Sequence, residues 1–313
     1  MNKDKIRKTI NNNTITAVRS LIALSYIFTL LFTSIDDLFP KHHLEKLSAS
    51  IQGHSIFRLN YFLWFDNLYV PYAISLILLI IIALGFIPRI MCFIHTWVTY
   101  SIFYSMLVVE GGDQICVIMT LLLIPISILD QRLNGWFPKK IFSEIKYNFF
   151  VYNASVSILF IKLQIAILYF NAGVSKFYAP EWSNGTAVYY WFNDVIFGAP
   201  KWLANSFIGY LFTNNISVSI INWSVIILEI FLFASLFYKQ KYKYLLFILG
   251  FLFHFSIFIV HGLATFSVSM TAALIIYLFR TEISLSENIN DIKQLILKTL
   301  KNEKSIFRKS KVS

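Results

Sequence analysis

The residues best suited to chemistry follow an apolar run that ends at Phe170. Gly173 and then a cation, Lys176, come next, and the indole of Trp182 follows six residues later. A lysine at the end of a membrane span usually only extends its ammonium to the interface. Here Gly173 permits close helix approach and Trp182 can shield the ammonium from water. A desolvated lysine can act as a general base, so both interpretations of Lys176 stay open.

Two carboxylates and two histidines stand at other turns of the chain. Glu110 and Asp113 flank a Gly-Gly pair, which by itself indicates only a turn. His254 and His261 share one helix face and would lie about 10 Å apart along it. Metal ligands on one helix are normally three or four residues apart, so we predict no metal site. Helix packing or hydrogen bonding by these histidines is the simpler interpretation.

Two ionisable residues fall inside apolar runs, where a charge costs a few kcal/mol unless it is paired. Lys162 lies about three and a half turns into the run that leads to Lys176. Glu229 lies in the next long apolar run, which should cross in the opposite direction. We therefore expect a structural ion pair between Lys162 and Glu229.

The composition indicates an all-α membrane protein. Of the 313 residues, 57% are hydrophobic and only 14% are charged, and the apolar residues fall in long blocks. The net charge of +11 is explained by the basic cytoplasmic loops of a membrane protein, so we expect no nucleic-acid partner. Cys92 and Cys116 would sit at opposite ends of neighbouring spans, too far apart to pair.

The apolar runs predict about eight transmembrane helices. With that number, the Lys- and Arg-rich connections all fall on one side, which places both termini in the cytoplasm. The turns that carry Lys176, Glu110, Asp113 and His261 then lie on the outer side. Residues 1–280 should form the transmembrane domain, and 281–313 a basic cytoplasmic tail. Aromatic segments of the outer loops, such as 61–65, should lie at the interface. The predicted spans cover 15–32, 71–87, 91–109, 115–129, 149–170, 216–237, 244–260 and a last segment that ends at 280.

Several motifs carry a resemblance to a known family. The run Tyr169-Phe-x-Ala-Gly-Val-x-Lys176, followed by Trp182-x-x-Gly185, resembles the HTTM domain, the membrane region shared with vitamin K-dependent γ-carboxylase. The first half resembles the SdpB branch, bacterial proteins of sporulation-delaying systems that produce a secreted antimicrobial peptide. The residues that carry this second resemblance are Arg19-Ser-Leu-Ile-Ala-Leu, Gly85-x-x-Pro88-Arg89, Glu110-Gly-Gly-Asp-Gln114 and Leu123-Ile-Pro125 to Asp130-x-Arg132.

The resemblance implies roles for particular residues. In the carboxylase, a lysine that matches Lys176 is taken as the base that deprotonates reduced vitamin K. A histidine in a segment like Phe253-His254 occurs there too. The resemblance thus implies Lys176 and His254 as catalytic residues and makes a reduced quinone a conceivable cofactor. The carboxylase's lumenal domain has no counterpart in this sequence, so glutamate carboxylation is not expected. The substrate-binding residues that we predict are Trp182, Asn184, Gly185, Glu110, Asp113 and His261.

The leading functional prediction is a multi-pass protein of the bacterial inner membrane that is required to mature an exported SdpC-like toxin. It would act at the outer face, and its partners would be the toxin precursor, an SdpA-like protein and membrane lipid. One alternative is a quinone-dependent oxygenase or carboxylase acting on a membrane-bound substrate. The other is a non-catalytic scaffold or immunity-type binder.

Overall fold

The computed structural model describes residues 3–50, 55–137 and 148–310, and the regular elements within these ranges are helices. The predicted all-α class is therefore confirmed. Lys139, Lys140 and Lys146, which contribute to the predicted charge asymmetry, lie outside the described residues. The helices are α1 (Lys3–Asn11), α2 (Thr14–Phe32), α3 (Ile35–Leu38), α4 (Lys41–Ala49), α5 (Tyr69–Ala83), α6 (Pro88–Ser105), α7 (Gly111–Leu122), α8 (Ile124–Ser127), α9 (Asn148–Ser175), α10 (Pro180–Ser183), α11 (Ala187–Phe192), α12 (Lys201–Ala204), α13 (Phe207–Leu211), α14 (Asn215–Ala234), α15 (Gln240–His261), α16 (Ala264–Leu278) and α17 (Leu285–Ser310), with short 3₁₀ turns at Ser55–Leu59, Tyr61–Trp64 and Ser235–Phe237.

Four helices of the described chain, α2, α9, α14 and α15, are long and apolar enough to cross a membrane. They contain 19, 28, 20 and 22 residues. At 1.5 Å per residue these helices measure about 28 to 42 Å, against a hydrocarbon core of about 30 Å. Together with their apolar composition, this indicates a membrane protein.

The other four predicted spans coincide with helices that are shorter or less apolar. α5 and α16 have 15 residues each, and α7 has 12. α6 has 18 residues but includes Arg89 and His95. α7 ends at Leu122 and a new short helix, α8, carries Pro125 in its first turn, as expected for a residue without a backbone N–H. The eight-span count therefore stays a prediction, of which four spans meet the length and composition of a membrane helix.

α16 lies at the centre of the helical bundle. Every residue from Ala272 to Leu278 is buried, and the helix packs most extensively against α2 and α15. Small side chains at Ser269, Ala272 and Ala273 allow neighbouring helices to approach closely. This central position explains why the second half of α16 is buried on all sides.

The Gly85-x-x-Pro88 motif forms a tight turn that locks the start of α6 to the segment after α8. Gly85 has φ +77°, and a Cβ atom there would lie 2.6 Å from Cδ1 of Trp136. The N–H of Ile87 donates to the carbonyl of Leu133 at 2.8 Å, and the N–H of Gly135 donates to the carbonyl of Gly85 at 2.8 Å. Only glycine combines this conformation with so close a neighbour.

The aromatic run 61–65 packs partly against the helical core. Tyr61 and Phe62 are each 1% exposed, and the Tyr61 hydroxyl lies 2.6 Å from Oγ of Ser75 on α5. Trp64 and Phe65 are exposed. The place of this run at the membrane interface stays a prediction.

The start of the predicted tail packs onto the helical body. Asn288 is fully buried, donates to the carbonyl of Arg280 at 3.0 Å and accepts from the hydroxyl of Tyr244 at 2.9 Å. Lys5 of α1 pairs with Glu282 at 3.3 Å. The first turns of α17 are thus fixed against α15, and the boundary at residue 280 does not separate two independently packed parts.

Candidate functional site

The central feature of the site is an ion pair between Lys176 and Glu229. The Lys176 ammonium donates to both carboxylate oxygens at 2.8 Å and to the carbonyl of Ala172 at 3.1 Å. It also lies 4.9 Å from the centre of the Trp182 ring, within cation–π distance. Two carboxylate oxygens, a carbonyl oxygen and an indole face therefore surround the Lys176 nitrogen.

This pairing corrects the prediction that Glu229 pairs with Lys162. Lys162 is 14 residues before Lys176, about 21 Å along a helix, and its electrostatic neighbours include Lys5, Lys243 and Glu282. The prediction placed Lys162 and Glu229 at similar depths in neighbouring apolar runs. In the structure, Lys176 follows the last residue of α9, whereas Glu229 lies 14 residues, about 21 Å, beyond the start of α14.

Gly173 brings the two helices of the ion pair together. A Cβ atom at this position would lie 2.8 Å from Cδ1 of Ile230 and 3.5 Å from Cβ of Glu229. The absence of a side chain therefore lets α9 approach α14 at the level of the carboxylate. This confirms the close helix approach that the sequence predicts at Gly173.

Trp182 is held over the ammonium by the segment that follows α9. Asn222 of α14 is fully buried, donates to the Trp182 carbonyl at 2.8 Å and accepts from the N–H of Ala187 at 3.1 Å. Both contacts fix α10 and α11 against the part of α14 that extends past α9. Asn222 was not predicted as a residue that supports the site, since nothing in the sequence distinguishes it from the other polar residues of α14.

Lys176, Glu229 and Trp182 line a cavity of about 830 Å³. Its walls come from α9, α14, α15 and α16, and the segments 108–111 and 182–212 complete it. Most of the lining side chains are apolar, and the volume is within the usual range for small-molecule pockets. The residues predicted from sequence that line this cavity are Lys176, Trp182, Glu110, His254 and His261, joined by Glu229 and Tyr169.

His254 and Tyr169 form a second polar pair on the cavity wall. The Tyr169 hydroxyl lies 3.0 Å from Nε2 of His254, and the two side chains are almost fully buried. Within the described chain, this histidine is the hydroxyl's hydrogen-bond partner. If Nε2 donated instead, the hydroxyl proton and the Nδ1 lone pair would both be buried without partners, so donation from the hydroxyl to Nε2 leaves fewer groups unpaired. Nδ1 then carries the ring proton, and it has no partner in the described structure.

Glu110 and Asp113 occupy the start of α7, but only Glu110 lines the cavity. A carboxylate oxygen of Asp113 accepts the N–H of Glu110 at 2.9 Å, which caps the helix. Burial, with a smaller contribution from the Asp113 charge, raises the pKa of the Glu110 carboxyl. Asp113 is therefore placed as a helix cap, whereas Glu110 adds a second carboxyl group at the cavity edge.

The remaining predicted binding residues also fall into two groups, one that lines the cavity and one that does not. Nδ1 of His261 lies 2.6 Å from the carbonyl of Phe197, so this nitrogen is the donor, and the ring lines the cavity. Asn184 and Gly185 form the turn after α10 and are not among the lining residues. Gly185 has φ +77° and would place a Cβ atom 2.8 Å from Oγ of Ser219. These two residues therefore shape the turn that carries Trp182.

The cavity opens to the surface at two places. Ser224 of α14 and Ser256 of α15 are exposed and yet line the cavity, so one opening lies between these helices. The other opening is bordered by Val109, Trp191 and Phe197, which are 45%, 51% and 50% exposed. The described residues contain no group of three or more His, Cys, Asp or Glu that could hold a metal ion.

Comparisons with known proteins identify relatives of the whole chain. The HTTM domain model matches residues 145–281, a range that contains Lys176, Glu229 and His254. The chain is 33% identical over 280 residues to the sporulation-delaying protein SdpB of Bacillus subtilis (strain 168), which covers 88% of this chain and 84% of that protein. It is also 33% identical over 267 residues to the uncharacterized protein YitO of the same organism, with 83% of each chain covered. No solved structure matches the chain.

Proposed function

This chain belongs to the family of the sporulation-delaying protein SdpB, and on that premise we propose that it is required to mature an exported peptide toxin of the SdpC type. The similarity covers both the HTTM region and the first half of the chain, which supports a shared role in a sporulation-delaying protein system. The partners in this proposal are the toxin precursor and an SdpA-like protein.

The proposed location is the bacterial inner membrane, crossed by eight helices with both termini in the cytoplasm. Basic residues near the N-terminus, at Arg89, at 239–243 and in the tail support this orientation. The cavity then lies toward the outer face, where an exported precursor would meet it. Reporter fusions at the C-terminus test the orientation, and an external C-terminus would contradict it.

The observation that carries the proposal is the cavity that contains the Lys176–Glu229 pair. Three polar groups of different character line a mostly apolar space: the Lys176 ammonium, the Glu229 carboxylate and the His254 ring. Apolar walls provide affinity for hydrophobic side chains, and the few polar groups fix the orientation of what binds. We propose that the cavity binds a hydrophobic segment of the precursor and holds one of its polar groups against Lys176 and His254.

The opening between α14 and α15 supports access from the bilayer. Ser224 and Ser256 border it, and neighbouring exposed residues on the two helices are apolar, including Ile227 and Phe255. A hydrophobic peptide segment partitions into the membrane before it meets the protein. It can then enter the cavity laterally without passing through water.

A quinone-dependent enzyme is the second candidate, because the HTTM match brings the carboxylase resemblance with it. The cavity fits a quinone head group in volume and in its apolar lining, and Lys176 and His254 would donate to the ring oxygens. A reduced quinone supplies the reducing power for oxygen-dependent chemistry when it is bound. For Lys176 to act as a base it must first lose a proton, and Glu229 is the acceptor in contact with it.

The test is deletion of the gene in a strain that makes the toxin, followed by complementation. The proposal predicts that unprocessed precursor accumulates in the deletion strain and that the wild-type chain restores the mature peptide. Mature, active toxin at normal amounts in the deletion strain would contradict it. A mass change on the peptide that requires reduced quinone would favour the second candidate. Rescue by a well-folded Lys176→Ala chain would favour a scaffold without catalytic function.

A further inference from the structure

A second polar cluster surrounds a small void that shares no lining residue with the cavity described above. The void is formed where α1, α2 and the start of α6 meet the segment after α7. All ten residues that line it are buried. Its volume of about 10 Å³ is close to the space that one bound water molecule needs.

The side chains that line this void carry more positive than negative charge. Arg19 and Arg132 line it and are 5% and 3% exposed, while Asp130 is the lining carboxylate and is 6% exposed. Asp130 is already used by Arg132, whose Nε and Nη2 donate to its two oxygens at 2.8 and 2.6 Å. Arg19 is therefore a buried cation without a carboxylate of its own among the lining residues, which is unfavourable unless a counter-charge is present.

Several donors at the void also have no acceptor. Nη1 of Arg132 and the hydroxyl of Ser127 are buried without a hydrogen-bond partner in the described structure. The Arg19 guanidinium carries five N–H donors, and its hydrogen bond within the described residues goes to the carbonyl of Pro88 at 3.2 Å. The hydroxyl of Thr16, which also lines the void, is a further donor. A guanidinium can donate hydrogen bonds but cannot accept them, so these unpartnered donors need an acceptor.

We propose that this void binds a single monatomic anion, chloride under cellular conditions, between Arg19 and Arg132. An anion accepts from the unpartnered donors and neutralises the excess positive charge. The size of the void excludes sulfate and phosphate. The site connects α2 with the segment after α8, and so it stabilises the junction that the Gly85–Pro88 turn also holds.

The test is the thermal unfolding of the purified full-length protein in detergent at constant ionic strength, with chloride, bromide, gluconate or sulfate as the anion. Chloride and bromide should raise the melting temperature in a saturable way relative to gluconate, and sulfate should not. In Ser127→Ala the half-saturating chloride concentration should rise about tenfold, because a hydrogen bond to a charged group contributes roughly 1.5 kcal/mol. Arg19→Gln should abolish the halide effect, and Arg89→Gln, at an exposed arginine, should retain it.

Equal melting temperatures in chloride and gluconate would overturn the proposal and assign a water molecule to the void. A sulfate effect equal to that of chloride would also overturn it, because it would indicate general anion binding at the surface. If Arg19→Gln does not fold, the response of Ser127→Ala decides: an unchanged half-saturating concentration contradicts the site.

Discussion

Lys176 at the end of α9 and Glu229 in the interior of α14 form an ion pair whose ammonium is 2.8 Å from both carboxylate oxygens. The contact is possible because α14 extends past the end of α9 and the segment with Trp182 covers the extension. An ammonium that follows the last turn of a helix is thereby removed from water, with side-chain exposures of 15% for the lysine and 6% for the glutamate.

Removing one partner of this pair should destabilise the protein more than removing both. Glu229→Leu leaves a buried ammonium and should lower the free energy of unfolding by about 3 to 5 kcal/mol, whereas Lys176→Met combined with Glu229→Leu should recover most of that loss. Chemical denaturation in detergent measures the free energy of unfolding of the single and the double variant. The double variant should still fail to produce toxin, because the cavity has lost the Lys176 ammonium and the Glu229 carboxylate. A double variant less stable than either single variant would contradict this account of the pair.

The Tyr169 hydroxyl should fix the ring proton of His254 on Nδ1 and hold the orientation of a ring that lines the cavity. In Tyr169→Phe, Nε2 loses its donor, and we expect a stability loss of about 1 to 3 kcal/mol together with reduced toxin maturation. Tyr277→Phe is the matched control, since its buried hydroxyl donates to the carbonyl of Leu232 at 2.9 Å away from the cavity. It should lose similar stability and keep its activity. Equal toxin yields from the two variants would argue against a role for the histidine.

The approach of α9 to α14 depends on Gly173. Gly173→Val should force Ile230 and Glu229 away from α9, and an overpacked contact of this kind costs about 1 to 3 kcal/mol. Gly111→Ala is the control, because a Cβ atom there would have its nearest neighbour at 3.9 Å. The melting temperature should fall in the first variant and stay nearly constant in the second. An unchanged melting temperature in Gly173→Val would show that the helices do not need this contact.

Blocking the opening between α14 and α15 should stop substrate entry without unfolding the protein. Ser224→Trp and Ser256→Trp place large side chains at the opening, and accumulation of precursor in cells measures the effect. Ile216→Trp is the control on the same helix, since Ile216 is 72% exposed, lies about two turns from Ser224 and does not line the cavity. Normal maturation in both serine variants would indicate that substrate uses the opening near Trp191 instead.

The sequence was sufficient to find most of the site residues but not to pair them. Lys176, Trp182 and Gly173 stand close together along the chain, so their contact followed from local spacing. Glu229 was assigned to Lys162 because periodicity reports position along a helix and not the depth at which the helix ends. The partnership of Tyr169 with His254 joins two helices, and a single sequence contains no signal for it.

The helical class could also be predicted from the sequence, whereas the composition did not determine the number of membrane spans. Long apolar runs produced α2, α9, α14 and α15 close to their predicted limits. α16 was predicted as a span, and in the structure it is a short helix in the centre of the bundle. Apolar residues look alike whether lipid or protein surrounds them, so hydropathy cannot distinguish these two environments.

The most direct test of the functional site is the amount of mature toxin exported by cells that carry Lys176→Ala. Lys201→Ala serves as the control, because Lys201 is an exposed lysine of α12 outside the cavity. Both chains should first be shown by blotting to reach the membrane at wild-type levels, and mass spectrometry then quantifies precursor and product. We predict precursor without mature peptide for Lys176→Ala and normal export for Lys201→Ala. Normal amounts of mature toxin from a well-folded Lys176→Ala protein would contradict the assignment of this cavity as the functional site.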